Sequence, residues 1–217
     1  MEKDLKLTIT SLESVDSTQI YLKSSISSGK MKAPCAVVAQ KQTKGIGSRN
    51  NAWIGEEGNL FLSFALPVKS LPKDLDLQSS SIYFSYLLKE TLCEMGSKVW
   101  LKWPNDFYLG QKKLGGMITN IVSDTLVCGV GINLVSSPEG FTKIDVEISK
   151  ENLLQSYFIK IENMFTWKQI FSKYKIEFLD NKMFFTHNNG LKFSLEKAIL
   201  QDDGSIVVDG ERIYSTR

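Results

Sequence analysis

Residues 98–134 read KVWLKWPNDFYLGQKKLGGMITNIVSDTLVCGVGINL, and this stretch decides the fold class. It contains four short runs with strand character: Lys98–Trp103, Phe107–Leu109, Leu114–Val122 and Leu126–Leu134. Gly110-Gln-Lys and Ser123-Asp-Thr separate the later runs with turn chemistry, so the strands fold back on one another. Pro104 lacks a backbone N–H and cannot continue a ladder, so the chain must also turn at Trp103-Pro-Asn.

Upstream, 5–13 alternates as a strand, Asp16-Ser17-Thr18 offers a helix start, and 18–28 reads as a helix stopped at Gly29. Ala36–Ala39 is a β-branched strand, and Asn59–Leu66 is another, ended by Pro67. Between 78 and 95, Ile82, Tyr86, Leu87 and Leu92 recur at helical spacing before Gly96. Downstream, 150–180 is helical and divides near Thr166. Short strands are expected at 192–200, 205–208 and 212–215, with turns at Asp203-Gly204 and Asp209-Gly210. The pattern predicts an α+β fold with a mixed, largely antiparallel sheet flanked by helices. A main domain is expected over 1–180, with a small β-barrel-like appendage over 183–217 that is too short to fold alone.

Composition narrows the function. The 217 residues are 42% hydrophobic and 23% charged, enough for one domain with a real core. With 26 basic and 24 acidic residues the net charge is +2, without the basic excess of a nucleic-acid binder. No apolar run approaches the ~20 residues of a membrane span. No charged leader precedes an apolar stretch, so no signal peptide is expected and the cytoplasm is the expected location. Cys35, Cys93 and Cys128 lie far apart in apolar surroundings and read as buried free thiols. The single histidine, His187, sits in a polar turn, which disfavours histidine triads and zinc sites.

Two segments concentrate positive charge. Lys41 to Gly55 holds Lys41, Lys44 and Arg49 and no acid, around Gln42-Thr-Lys-Gly-Ile-Gly-Ser-Arg49. Glycines let backbone N–H groups converge on an anion, although an exposed turn of solvated charge has the same composition. Lys98 to Ser123 holds Lys98, Lys102, Lys112 and Lys113 against one carboxylate, Asp106. The turn presents Asn105 and Asp106 at a strand edge, where sites are commonly built. On spacing alone, turn decoration and active site are equally good readings.

Five pieces in order resemble the biotin protein ligases (biotin–[acetyl-CoA-carboxylase] ligases). They are Asp16-Ser-Thr-Gln19, Gln42 to Trp53, Asn59-Leu-Phe-Leu-Ser63, Lys102-Trp-Pro-Asn-Asp106 followed by Lys113-Leu-Gly-Gly-Met-Ile118, and Gly129-Val-Gly-Ile-Asn133. The resemblance covers roughly residues 8–135. It implies a class II synthetase-like catalytic domain that makes biotinyl-5′-AMP from biotin and ATP. Biotin then passes to a lysine of the biotin carboxyl carrier protein of acetyl-CoA carboxylase. Ser17, Thr18, Gln19 and Gln42 would receive the ureido ring. Gly45, Ile46, Gly47, Ser48, Trp53 and Gly116 would line the rest of the biotin site. Lys113, Asp106 and Lys102 would be catalytic, with Lys113 stabilising the attacked phosphate and Asp106 orienting a cation or the acceptor lysine. Lys44, Arg49, Lys102, Asn105, Lys113, Gly131 and Asn133 would serve the nucleotide. No fixed metal site is implied, only Mg²⁺ arriving with ATP near Asp106. Nucleic acid and membranes are not expected partners, and a homodimer is an expected possibility.

Two departures from the family pattern matter. In the pattern Gly-Arg-Gly-Arg-x-Gly-Arg-x-Trp, the arginine positions are Ile46, Ser48 and Asn51, and a glycine position is Asn50. Lys44 and Arg49 flank the gaps, but a lysine is no bidentate fork. The first motif begins at Asp16, so no winged DNA-binding domain and no repressor role are expected. Rivals are a lipoate or octanoate ligase or transferase and a non-catalytic biotin-binding protein.

Overall fold

The run Leu126, Cys128, Val130, Ile132 alternates with Thr125, Val127, Gly129, Gly131, and the two sets face opposite sides of one sheet. The computed structural model describes residues 5–47, 52, 53, 55–188 and 190–215. Strands and helices follow in the order β1 (Thr8–Val15), α1 (Thr18–Ser27), β2 (Cys35–Gln42), β3 (Gly45–Ile46), β4 (Ala52–Trp53), β5 (Leu60–Pro67) and α2 (Ser80–Glu94). Then come β6 (Trp100–Lys102), β7 (Asp106–Leu109), β8 (Lys112–Val122), β9 (Thr125–Ile132), α3 (Lys150–Glu162) and α4 (Trp167–Glu177). The chain ends with β10 (Phe185–Asn188), β11 (Leu191–Ser194), β12 (Ile199–Leu200), β13 (Ile206–Val208) and β14 (Glu211–Ile213).

Seven strands form one sheet in the order β1-β2-β5-β9-β8-β7-β6. Only β1 and β2 are parallel, because α1 crosses between them; every other pair is antiparallel. This is the expected α+β sheet. One face buries Leu60, Leu62, Phe64 and Leu66 of β5 with Leu126, Cys128, Val130 and Ile132 of β9. Helices α2, α3 and α4 cover it with Phe84, Leu87, Tyr157, Ile161 and Tyr174. The other face packs a smaller cluster of Val37, Ala65 and Val127 against Leu22 of α1. The rest of that second face forms the floor of a cleft under Gln19 of α1 and Trp53 of β4.

The residues that begin helices do so for legible reasons. Ser17 accepts from the Ile20 N–H, and Thr166 closes a capping box with Gln169, which sets the division expected near Thr166. Gly29 stops α1 with φ +73°. Some expectations are corrected. The 192–200 strand is two pieces, β11 and β12, and β10 precedes them unforeseen. His187 lies in β10, exposed, and not in a turn. Cys35 and Cys128 are buried, but Cys93 is only half-buried, its Sγ 3.3 Å from the Val99 carbonyl.

The C-terminal strands form a two-stranded and a three-stranded sheet. Their Ile206, Val208 and Ile213 belong to the same core as α2 and the main sheet. The Trp103 and Trp167 indoles donate to the carbonyls of Gly204 and Asp202, each at 2.8 Å. Asp203 accepts from Gln78, Ser205 and Arg212; burial pushes its carboxyl up, but Ser205 and Arg212 together hold it below the usual value.

Candidate active site

The open face of the sheet carries two rows of partners. Ser63, Gly129 and Ile118 are registered across β5, β9 and β8; Phe61, Gly131, Gly116 and Asp106 form the next row, out to β7. The rows are two residues apart on each shared strand, so they share a face. Where glycines take the place of side chains, other elements descend onto the backbone. A Cβ on Gly129 would lie 2.5 Å from Gln19 Oε1, and one on Gly131 would lie 2.5 Å from the Trp53 ring. The resulting cleft lies between α1, the described part of the ligand loop and the sheet.

Its α1 end is polar and uncharged. Thr18 donates from both its N–H (2.7 Å) and its hydroxyl (3.0 Å) to Gln42 Oε1, and Ser63 Oγ donates to Thr18 Oγ1 at 2.9 Å. Two donors on that oxygen fix the Gln42 amide and leave its Nε2 as a donor. Gln19 is anchored by bonds from Nε2 to Asn120 Oδ1 (3.2 Å) and the Val127 carbonyl (3.3 Å), with Oε1 unpaired. Ser17 and Thr18 are both nearly buried. Such a surface suits a compact ring with N–H and C=O groups, and offers a carboxylate or phosphate no cation.

The other end is charged. Lys102 and Asp106 face each other across the β6–β7 turn, and Asp106 Oδ1 accepts from Lys113 Nζ at 2.6 Å. Lys102 Nζ lies 3.7 Å from Asp106 Oδ2. Lys113 reaches the cleft because of an irregularity. The β7–β8 register shifts between Phe107 and Tyr108, so Tyr108 opposes Lys113 and Leu114 is left over. That bulge changes the parity of β8: Leu114 enters the main core and Lys113 shares the cleft with Gly116. Burial, and then the nearby Asp106, push the Tyr108 hydroxyl up to about 12, so it stays neutral beside the pair.

Of the residues singled out in the sequence, Ser17, Thr18, Gln19, Gln42, Ile46, Gly47, Trp53, Asp106, Lys113, Gly116 and Gly131 line this one cleft. Others stand behind it. Asn105 donates to the Met117 carbonyl at 2.5 Å and holds the β6–β7 turn. Asn133 donates to the Thr142 carbonyl at 3.1 Å. Gly45 pairs with Trp53 in the small β3–β4 ladder, which swings the indole over Gly131. Lys44 is at the surface, 3.4 Å from Asp16, whose other oxygen accepts from Thr43 at 2.5 Å. Ser48, Arg49, Asn50 and Asn51 lie outside the described residues.

Ser63, Met117, Ile118, Gly129 and Val130 also line the cleft; the sequence motifs contain them but assign them no site role. A signal existed for two of them. Ser63 is a hydroxyl inside an otherwise apolar strand, and Gly129 repeats Gly131 at a period of two. The residues around Asp106 do not make a protein-held Mg²⁺ site. Both carboxylate oxygens face ammonium groups, and among the described residues no cluster of three or more His, Cys, Asp or Glu exists.

A sequence profile of the Biotin/lipoate A/B protein ligase family matches residues 11–134, more than half of the chain. The chain belongs to that family. Biotin acetyl coenzyme A carboxylase synthetase from Helicobacter pylori, solved with biotinylated ATP, superposes with a TM-score of 0.92 at 39% identity, covering 96% of this chain and 100% of that one. That likeness puts this family member among the biotin ligases. Biotin protein ligase from Aquifex aeolicus, in complex with biotin and ATP, gives a TM-score of 0.73 at 25% identity over 97% and 99% of the two chains. The bifunctional ligase/repressor BirA of Escherichia coli is 34% identical over 127 residues, which are 55% of this chain and 38% of that protein. The chain thus spans well under half the length of the curated relatives it matches.

Proposed function

We propose that this protein is an ATP-dependent biotin–protein ligase. One observation carries the reading: a single cleft runs from a neutral set of ring donors and acceptors to the Lys113–Asp106 pair. In the first half-reaction a biotin carboxylate oxygen attacks the α-phosphorus of ATP; the bond to the β,γ-phosphates breaks, giving biotinyl-5′-AMP and pyrophosphate. Lys113 neutralises charge where the two anions meet, and because it is already held by Asp106 it needs no reorganisation at that moment. In the second half-reaction the acceptor lysine, as its free amine, attacks the acyl carbon. An amide forms, AMP leaves and the amine sheds a proton.

Asp106 acts by orienting the ammonium groups. A carboxylate that accepts from Lys113 and faces Lys102 is a weak base, so proton abstraction is the poorer role. Lys102 and Asn105 support the nucleotide side indirectly, through Asp106 and the β6–β7 turn. The ureido ring would take the Gln42 Nε2 donor and the hydroxyl network, with Gln19, Gly47 and Trp53 enclosing it. The partner proposed is a biotin carboxyl carrier domain. We further propose that residues 1–180 form the catalytic unit and that 183–217 buttress it through Trp103 and Trp167, in keeping with the shared core.

The test supplies protein, Mg-ATP, biotin and a carrier domain, with lipoate and octanoate in parallel. Mass spectrometry of the carrier should show one biotinyl addition that depends on ATP. Faster addition of lipoate or octanoate, or binding of biotin without transfer, overturns the reading.

A further inference from the structure

Beta-strand β9 gives the cleft a direction. Gly129 lies under Gln19 at the ring end, Gly131 lies beside Gly116 and Lys113, and the strand then runs through Asn133 into the 134–144 loop. At about 3.3 Å per residue, position 133 is roughly 13 Å from position 129, past the carboxylate end. If the ring and carboxylate lie as proposed above, the 134–144 loop borders the nucleotide. Its far end is held by Thr142 N–H to the Lys113 carbonyl (2.9 Å) and Ile144 N–H to the Asn133 carbonyl (2.8 Å). Just before them Phe141 meets Trp53 edge to face, centroids 6.5 Å apart.

The near end is held by a residue to which the reaction assigns no task. Asn59 Oδ1 accepts from three consecutive backbone N–H groups, Leu134 (2.9 Å), Val135 (2.9 Å) and Ser136 (3.3 Å). Its Nδ2 donates to the Ser136 carbonyl at 3.0 Å. The side chain is 1% exposed. Beside it, a Cβ on Gly58 would lie 2.9 Å from Val135 Cγ2, so the Val135 side chain packs directly on the Gly58 backbone. Asn59 stands where the ligand loop ends and β5 begins. One carboxamide therefore ties the exit of the ligand loop to the start of the loop on the other side of the cleft.

We propose that Asn59 is a positioning residue: it sets the 134–144 loop for the nucleotide and couples that loop to the ligand loop. This rests on the ligase reading. Removing the acceptor leaves three inward-facing N–H groups to find other partners, and the loop moves to satisfy them. Loss of folded protein alone lowers the apparent kcat for both substrates equally and leaves both KM values in place. Mispositioning of one loop does not.

The experiment compares wild type, Asn59→Ala, Asn59→Ser and Asn59→Asp in biotinyl-adenylate formation, with hydrogen exchange of peptides spanning 134–144. In Asn59→Ala the KM for ATP should rise about tenfold or more, with the KM for biotin within twofold. Asn59→Asp keeps the triple acceptor and should return the ATP KM to within about threefold of wild type. Amides 134–136 should exchange at least tenfold faster in Asn59→Ser, a readout that needs no activity and a variant milder than alanine. Unchanged exchange, unchanged KM for ATP in folded variants, or an aspartate variant no better than alanine overturns the proposal. A wild type that fails to adenylate biotin counts against the ligase reading alone, while the exchange comparison still decides the role of Asn59.

Discussion

The two walls of the cleft are built differently. Asp106, Gly116 and Gly131 sit on adjacent strands of a seven-stranded sheet, their separations set by ladder hydrogen bonds. The opposite wall, from Gln42 to Trp53, is a loop whose described part is held by the two-residue β3–β4 ladder and by contacts to Asp16. The sheet-borne wall is ready for charge before any ligand arrives. The loop-borne wall is joined to the α1 end of the cleft, so whatever orders one orders the other. Preorganised charge belongs on the sheet and closure belongs on the loop.

The comparison breaks most severely at Lys113. Lys113→Ala should slow biotinyl-adenylate formation by roughly 10²–10³-fold with little change in the KM for biotin, read as pyrophosphate release. A loss below tenfold would mean that the sheet-borne wall is not where charge is stabilised. A smaller effect is expected where the walls touch. Gly131→Ala puts a methyl 2.5 Å from the Trp53 ring and must displace the indole, so the KM for biotin should rise about tenfold while the thermal midpoint changes little. If the KM holds, the indole does not cover the ligand.

The smallest effect is at the latch. Asp16→Asn should speed loss of bound biotinyl-adenylate by about two- to threefold, since an exposed ion pair contributes little. The Thr43 hydroxyl, then Lys44, holds the Asp16 carboxyl below its ordinary 3.8. A carboxyl lowered in the folded state contributes above its unfolded value and loses that contribution as pH falls through the lowered one. Adenylate retention should therefore be flat from pH 8 to 5 and weaken only below about 3.8, measured by filter binding. Lys44→Ala combined with Arg49→Ala asks the same of the cations flanking the absent arginines; equal retention would show that they do not compensate.

Much of this was legible beforehand, for physical reasons. The hairpins of 98–134 follow from turn residues at fixed offsets, and α1 follows from a cap and a stop that act locally. The 192–200 strand was misread because Ser194-Leu-Glu-Lys-Ala198 holds apolar residues that bury without pairing; Leu195 is fully buried outside any strand. At the site, Lys113 and Asp106 were visible as charges but their 2.6 Å contact was not, since it depends on a bulge that no residue type announces. Asn59 carries no role of its own in the sequence, where it opens a strand and a motif piece, because its partners lie 75 to 77 residues away.

That bulge has a consequence for how such sequences diverge. Whether the β8 ammonium reaches the cleft depends on the count of residues between Tyr108 and Gly116, and not only on which residue is a lysine. The three-residue step from Lys113 to Gly116 keeps both on one face only because Leu114 is bulged; in a regular ladder the same residues would turn the lysine toward the helices. Identity at this position is thus an incomplete record of ancestry in function: a descendant can retain every letter of the motif and lose the chemistry through register.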